Sequence, residues 1–285
     1  MKLEEFEKRK VDPDFASINE VINNAVDELK VLNAIGRAPL LKPDYPHEYE
    51  DRWHEACYIA RYMFAYSYEY LQMYKDLLNL DPELKALKIL SLGCGSMVDA
   101  WSLHRAIYSV SRDVAVKYYG VDAVVWEKKY VPKVTTFTKL QFINEKAGTY
   151  LKGAEDIDFD VIVFPKSIGD ISSDTMDFQR MVDALRGNTK QRFFLVASKI
   201  VYSEQSLRSD ESVLEIVVKQ ILAAGYRLNK RIERKGEDKA IASGRSGYFY
   251  PIEIDVNEVC NLSGRYPILK RTFENYSIYE FMKER

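Results

Sequence analysis

The chain has 285 residues, 47% of them hydrophobic, enough for one large core or a core with an elaboration. Its formal net charge of −2 gives no general case for a nucleic-acid or anionic-membrane partner. No run approaches the ~18 consecutive apolar residues of a membrane span, and the opening MKLEEFEKRKVDPDF is charged throughout with no apolar signal core, which points to the cytoplasm.

Residues 1–87 read as a helical region. Ser17 and Glu20 have the spacing of a capping box, and Ile18, Val21, Ile22, Ala25, Val26, Leu29 and Leu32 follow at helical intervals. GRAPLLKPDYP, with one glycine and three prolines, reads as a loop. From about Glu48 to Leu80, Trp53, Cys57, Ala60, Phe64, Leu71 and Leu78 mark a long helix whose other faces carry tyrosines, Arg61 and Glu69. Burial on several sides explains this pattern. A Tyr/Arg/Glu face that covers the mouth of a site is the sharper reading. Tyrosine abundance alone marks no pocket, because tyrosines pack their rings and bond their hydroxyls in ordinary cores.

After Leu87 the texture changes to α/β. Short strands are predicted over 88–92, 117–121, 139–143, 159–164 and 192–197, with helices between them over 97–110, 174–186 and 209–224. The last helix closes on Gly225. This alternation predicts right-handed βαβ units and a mainly parallel sheet. YRLNKRIER and YFYPIEIDV both alternate, the second through Tyr248, Tyr250, Ile252, Ile254 and Val256, and read as a closing antiparallel pair joined by the polar loop KGEDKAIASGRSG. Pro251 lacks an N–H, so an edge or bulge is expected there.

The chemistry concentrates in KILSLGCGSMVDAW, residues 88–101. An apolar strand runs into Gly93 and Gly95, which permit positive φ and a close approach to the backbone. Ser96 and Asp99 then have capping-box spacing at the start of a helix, whose free N–H groups face whatever sits above the turn. Asp122 ends the next strand, further on than the ~20 residues of the dinucleotide-binding fingerprint, and no third glycine follows Gly95.

This order resembles the class I S-adenosylmethionine-dependent methyltransferases. The glycine turn is similar to their first motif, YYGVDAVVW to their second and DFDVIVFPKSIGDI to their fourth strand and the loop after it. The resemblance covers about residues 85–256. It implies a Rossmann-like α/β fold with a seven-stranded, mainly parallel sheet of order 3-2-1-4-5-7-6 and an antiparallel last strand. It divides the chain into an N-terminal helical cover (1–87), a cofactor-binding domain (88–256) and a C-terminal extension (257–285). S-Adenosylmethionine is the cofactor it implies. Gly93, Cys94, Gly95 and Ser96 would surround the methionine part, and Asp122 with neighbouring Ala123 would take the ribose. Asn144 and Glu145 would lie near the adenine, and Phe164 and Pro165 would border the transfer site, with Lys166 and Asp170 as its ionisable groups.

The pattern departs from the family at two positions. Ser91 stands where the family usually has an acid, and Met97 stands where it often has a third glycine. A methyltransferase-like binding protein without turnover is therefore the second reading. The loop FPKSIGDI lacks the Asn/Asp-Pro-Pro-aromatic tetrapeptide of adenine and glutamine methylation and holds no cysteine for cytosine-C5 chemistry. The acceptor class stays open between a small molecule and an RNA. Cys57, Cys94 and Cys260 have no metal-type spacing and the only histidines are His47, His54 and His104, so no metal is expected. Between its glycines, Cys94 reads as a small packing residue.

Overall fold

A computed structural model of the chain describes residues 13–34, 52–154, 157–200, 204–240 and 271–284. Two long helices, α1 (Pro13–Ala34) and α2 (Arg52–Leu80), come first. Then follow β1 (Ala86–Leu92), α3 (Val98–Ser109), β2 (Ala115–Asp122), β3 (Lys139–Asn144) and α4 (Ala147–Gly153). The chain continues through β4 (Val161–Pro165), α5 (Ile168–Ser173), α6 (Thr175–Leu185), β5 (Arg192–Ser198), α7 (Glu204–Ala223), β6 (Tyr226–Ala240) and β7 (Arg271–Lys283). Helix α1 starts at Pro13 and not after Ser17. Proline suits a first helical position, where the missing N–H would have no partner anyway, so Ser17 falls inside the helix and the expected capping box does not start it.

Among the described residues the sheet has seven strands in the order β3-β2-β1-β4-β5-β7-β6. The first five run parallel, and β7 is antiparallel to both β5 and β6. The central strands are apolar because helices cover both faces: Ile89, Leu90, Ile162, Val163, Leu195 and Val196 are all inaccessible to water. On one face α1, α2 and α3 share a core with the sheet, where Leu29, Tyr70, Tyr74 and Trp101 meet Val161, Val163, Val196 and Ile278. On the other face Met181 and Leu185 of α6 and Leu214, Val217 and Ile221 of α7 pack on Leu92, Ile162, Leu195 and Phe281. Each fully buried side chain of this size stabilises the fold by roughly 1.5–3 kcal/mol relative to exposure.

The closing strand corrects the sequence reading. β7 is formed by Arg271–Lys283, in the segment read as a C-terminal extension, and YFYPIEIDV with Pro251 lies outside the described residues. β7 is buried on both faces and carries Asn275, Ser277 and Glu280 among its apolar residues, so it shows no alternation. Lys235–Ala240, read as the start of a loop, continues β6: Glu237–Ala240 pair with β7 beyond a register shift between Arg234 and Glu237, inside which Gly236 has φ +66°. The proline-rich loop before α2, His47 and Cys260 also lie outside the described residues. No helix among the described residues is long and apolar enough to cross a membrane.

Candidate functional site

The turn after β1 is pinned to the end of β2. The N–H groups of Gly93 and Cys94 both donate to the Val121 carbonyl, at 2.8 and 3.2 Å. Gly93 (φ +69°) and Gly95 (φ +53°) adopt the left-handed conformation that glycine takes without strain. A Cβ on Gly93 would come within 2.4 Å of Ser167 Cβ, whereas one on Gly95 would meet the Trp126 ring at an ordinary 3.9 Å. Crowding therefore sits at Gly93, because Ser167 presses onto the turn and donates its hydroxyl to the Leu92 carbonyl at 2.5 Å. Met97 caps α3 in the left-handed region (φ 58°), a conformation glycine would hold at lower cost.

Asp99 does not cap its helix. It is fully buried: Oδ2 accepts from Ser91 Oγ (2.9 Å) and Tyr74 OH (3.2 Å), and Oδ1 accepts from Tyr118 OH (2.8 Å). Burial raises its pKa to about 6 against the pull of these hydroxyls. The serine standing in place of the expected acid thus serves as a donor to a carboxylate supplied by α3. Cys94 is also buried, and burial, with Asp122 and Asp99 nearby, pushes its thiol well above the usual range. It packs where a Cβ on Gly120 would lie 2.7 Å from its Sγ.

Asp122 ends β2 and reaches back across the turn. Its Oδ2 accepts the Gly95 N–H at 2.7 Å, and its Oδ1 accepts the Val124 N–H at 2.8 Å. Each oxygen keeps a second lone pair for a ligand. Burial nudges the carboxyl above its usual range while these two N–H groups hold it down. Beside it opens a groove of about 800 Å³. Gly93, Gly95, Asp122, Ala123, Glu145, Pro165, Lys166 and Asp170 line it. Four expected residues do not. Cys94 and Ser96 are buried in the turn, Phe164 lies in the core beneath, and Asn144 stands outside, where its amide donates to the Asp122 and Ala123 carbonyls at 3.2 and 3.0 Å.

The groove also has walls outside the expected site residues. Tyr58 of α2 and Trp126 meet ring to ring at 5.3 Å and both face it. Lys146, Ser167, Asp174 and Asp177 complete its rim. Asp177 accepts the Gly148 and Thr149 N–H groups at 2.9 and 3.0 Å, which fixes the start of α4. The tyrosine-rich face of α2 was the legible signal for Tyr58; nothing in the local pattern marked Trp126 or Asp177.

The two ionisable residues after β4, Lys166 in the turn and Asp170 in α5, differ sharply. Lys166 is buried with φ +56°, and its ammonium is held by Glu69 of α2 (2.8 Å), the Lys199 carbonyl (2.9 Å) and the Tyr66 ring (4.8 Å). Glu69 also accepts the Ser198 hydroxyl at 2.6 Å, and its burial raises its pKa despite the lysine. The carboxylate of Asp170, by contrast, stands in the groove wall, open to water on one side and, among the described residues, in no hydrogen bond or ion pair. The surrounding concavity still desolvates it, and with Asp210 and Asp122 nearby its pKa rises to about 6.

Compared with protein-family models and with curated proteins, the sequence matches none. Solved structures do match. The TehB-like SAM-dependent methyltransferase of Corynebacterium glutamicum is 11% identical, with 92% of this chain and 98% of that one covered and a TM-score of 0.39. The plantazolicin methyltransferase BpumL, solved with a monoazolic desmethylPZN analog and SAH, is 15% identical over 93% of this chain and 100% of that one, with a TM-score of 0.42. The cyclase SpnF is 14% identical over 93% of both chains, with a TM-score of 0.41. The fold itself rests on the strand order. With β7 antiparallel between β5 and β6, the chain has the seven-stranded Rossmann-like fold of the class I methyltransferases.

Proposed function

We propose that the chain is an S-adenosylmethionine-dependent methyltransferase whose cofactor lies in the groove over Gly93 and Gly95 with its ribose on Asp122. The supporting observation is the bond from Gly95 N–H to Asp122 at 2.7 Å, which joins the glycine turn and the strand-end acid in one cavity. Its volume falls within the roughly 300–1,000 Å³ of small-molecule sites. The lone pairs left on Asp122 suit a pair of vicinal hydroxyls, and Gly95 presents bare backbone to the groove. Glu145, which follows β3, also lines the groove and would lie near the adenine.

When bound, such a cofactor supplies an electrophilic methyl group. The chain's part is to hold and orient, which can account for much of a methyl-transfer rate. In this reading Pro165 and Ser167 shape the floor, Lys166 is a positioning residue tied to α2, and Asp170 faces the acceptor.

Ser91 and Met97 favour a second reading, a methyltransferase-like binding protein without turnover. Calorimetry with S-adenosylhomocysteine, followed by methyl-label transfer into cell extracts, separates the two. Asp122→Ala is expected to weaken S-adenosylhomocysteine about a hundredfold or more, because two charge-assisted hydrogen bonds of ~1.5–3 kcal/mol each are lost. Equal affinity for wild type and variant would remove the ribose assignment.

A further inference from the structure

We infer that the acceptor side of the groove is built for an organic cation, a protonated amine with an apolar or aromatic body, and that Asp170 anchors its ammonium group. This rests on the methyltransferase reading of the same groove. The argument is one of charge and shape. Two lysines reach the lining, and both are neutralised. Lys146 pairs with Asp174 at 2.7 Å, and Lys166 pairs with Glu69 at 2.8 Å behind the wall. Asp122, Glu145, Asp170 and Asp177 also line the groove, and none of them is in an ion pair with a described residue. Two of the four are committed to backbone N–H groups, Asp122 to Gly95 and Val124 and Asp177 to Gly148 and Thr149. Asp170 has no such commitment.

Among the described residues the groove therefore carries an excess of negative charge. A cavity with walls of one sign concentrates ligands of the opposite sign. The Tyr58 and Trp126 rings, which favour cations over their faces, act in the same direction.

A polyanionic acceptor meets the opposite situation. The one concentrated basic segment, RLNKRIERKGEDK, forms β6, at the far edge of the sheet from β2 and β3. Four of its six cations are already engaged: Lys230 with Glu280, Arg231 with Glu233, Arg234 with Asp76 and Lys235 with Glu211. Among the described residues, neither the groove nor that edge presents the row of unpaired lysines and arginines that a phosphate backbone requires.

The test uses matched probes. Phenethylamine, phenylpropionate and a short oligouridylate are titrated calorimetrically into the full chain, both free and saturated with S-adenosylhomocysteine. Phenethylamine is expected to bind saturably, and to bind more weakly as salt is raised; the two anions are expected to show no binding. Asp170→Asn should weaken phenethylamine about tenfold, the effect of losing one charge interaction of this kind. It should leave S-adenosylhomocysteine affinity within about twofold, and Asp170→Glu should restore most of the amine affinity. Binding of phenylpropionate or oligouridylate in preference to the amine overturns the inference. So does unchanged amine affinity in a folded Asp170→Asn chain, or failure of the amine to bind the free and the loaded protein alike. Failure of S-adenosylhomocysteine to bind, with the amine still bound through Asp170, strikes the methyltransferase reading and leaves this one standing.

Discussion

At Asp99 a carboxylate is stripped of water and given three hydroxyls in return. The pKa of about 6 lies above the ordinary 3.8, so between these values the native state holds a proton that the unfolded chain releases. Stability from this group is present below about pH 4 and is lost as pH rises through about 6. Urea unfolding of wild type and Asp99→Asn between pH 4 and 7 should show the balance moving toward the variant as pH increases. A constant difference would mean that Asp99 does not titrate there. Tyr118→Phe should cost ~1.5–3 kcal/mol at pH 8, where its hydroxyl faces a charged acceptor, and less at pH 4. Residues of this kind divide the legible from the illegible. Gly93, Gly95 and Asp122 could be found because a turn and a strand end impose local spacing. The role of Asp99 could not, because its partners Ser91, Tyr74 and Tyr118 come from β1, α2 and β2 and meet only once the sheet is assembled.

At the scale of elements, α2 does two jobs on one cylinder. Tyr70, Tyr74 and Leu78 pack on the sheet, Tyr58 faces the groove, and Glu69 reaches the loop after β4 through Lys166. The ion pair is buried on both sides, so breaking it strands a charge, whereas removing both ends need not hurt. Glu69→Leu alone should lower stability by roughly 3–5 kcal/mol, and Glu69→Leu with Lys166→Met should recover most of the loss in denaturant titrations. If the double variant is as unstable as the single one, the pair acts through its wider hydrogen bonds to Ser198 and Lys199. The existence of α2 was plain from its apolar period, and the crossovers from their alternation with strands. β7 escaped for a physical reason. A strand buried on both faces that carries Glu280, bonded to Arg192 at 2.6 Å, has neither an apolar run nor a polar face to betray it.

For the whole molecule, the sheet is one continuous structure only because its last strand returns to its interior. β5 pairs with β7 along its full length, from Arg192 opposite Met282 to Ser198 opposite Tyr276, and among the described strands β6 pairs with β7 alone. A chain ending at Ala240 should therefore lose more than the terminal segment. It exposes the edge of β5, leaves β6 unpaired and uncovers Val196, Leu195 and Phe193. The expected outcome is aggregation and loss of cooperative thermal unfolding. A monomeric truncated chain with a sharp melting transition would show that the first five strands and their helices fold without the rest.

The position of β7 also has a consequence in time. Ribosomes deliver a chain from its N-terminus, and domains generally fold as they emerge. Here the strand that joins β5 to β6 is made after both of them, and it pairs with residues far earlier in the chain, Arg192 and Tyr226 among them. Every nascent molecule therefore passes through an interval of translation with β5 open along its length, a ready template for any other strand. That interval ends only once Arg271–Lys283 has cleared the exit tunnel. Slow decoding between Ala240 and Lys283 would thus harm this protein more than the same delay elsewhere, and a holding chaperone would be most useful to it while that stretch is being made.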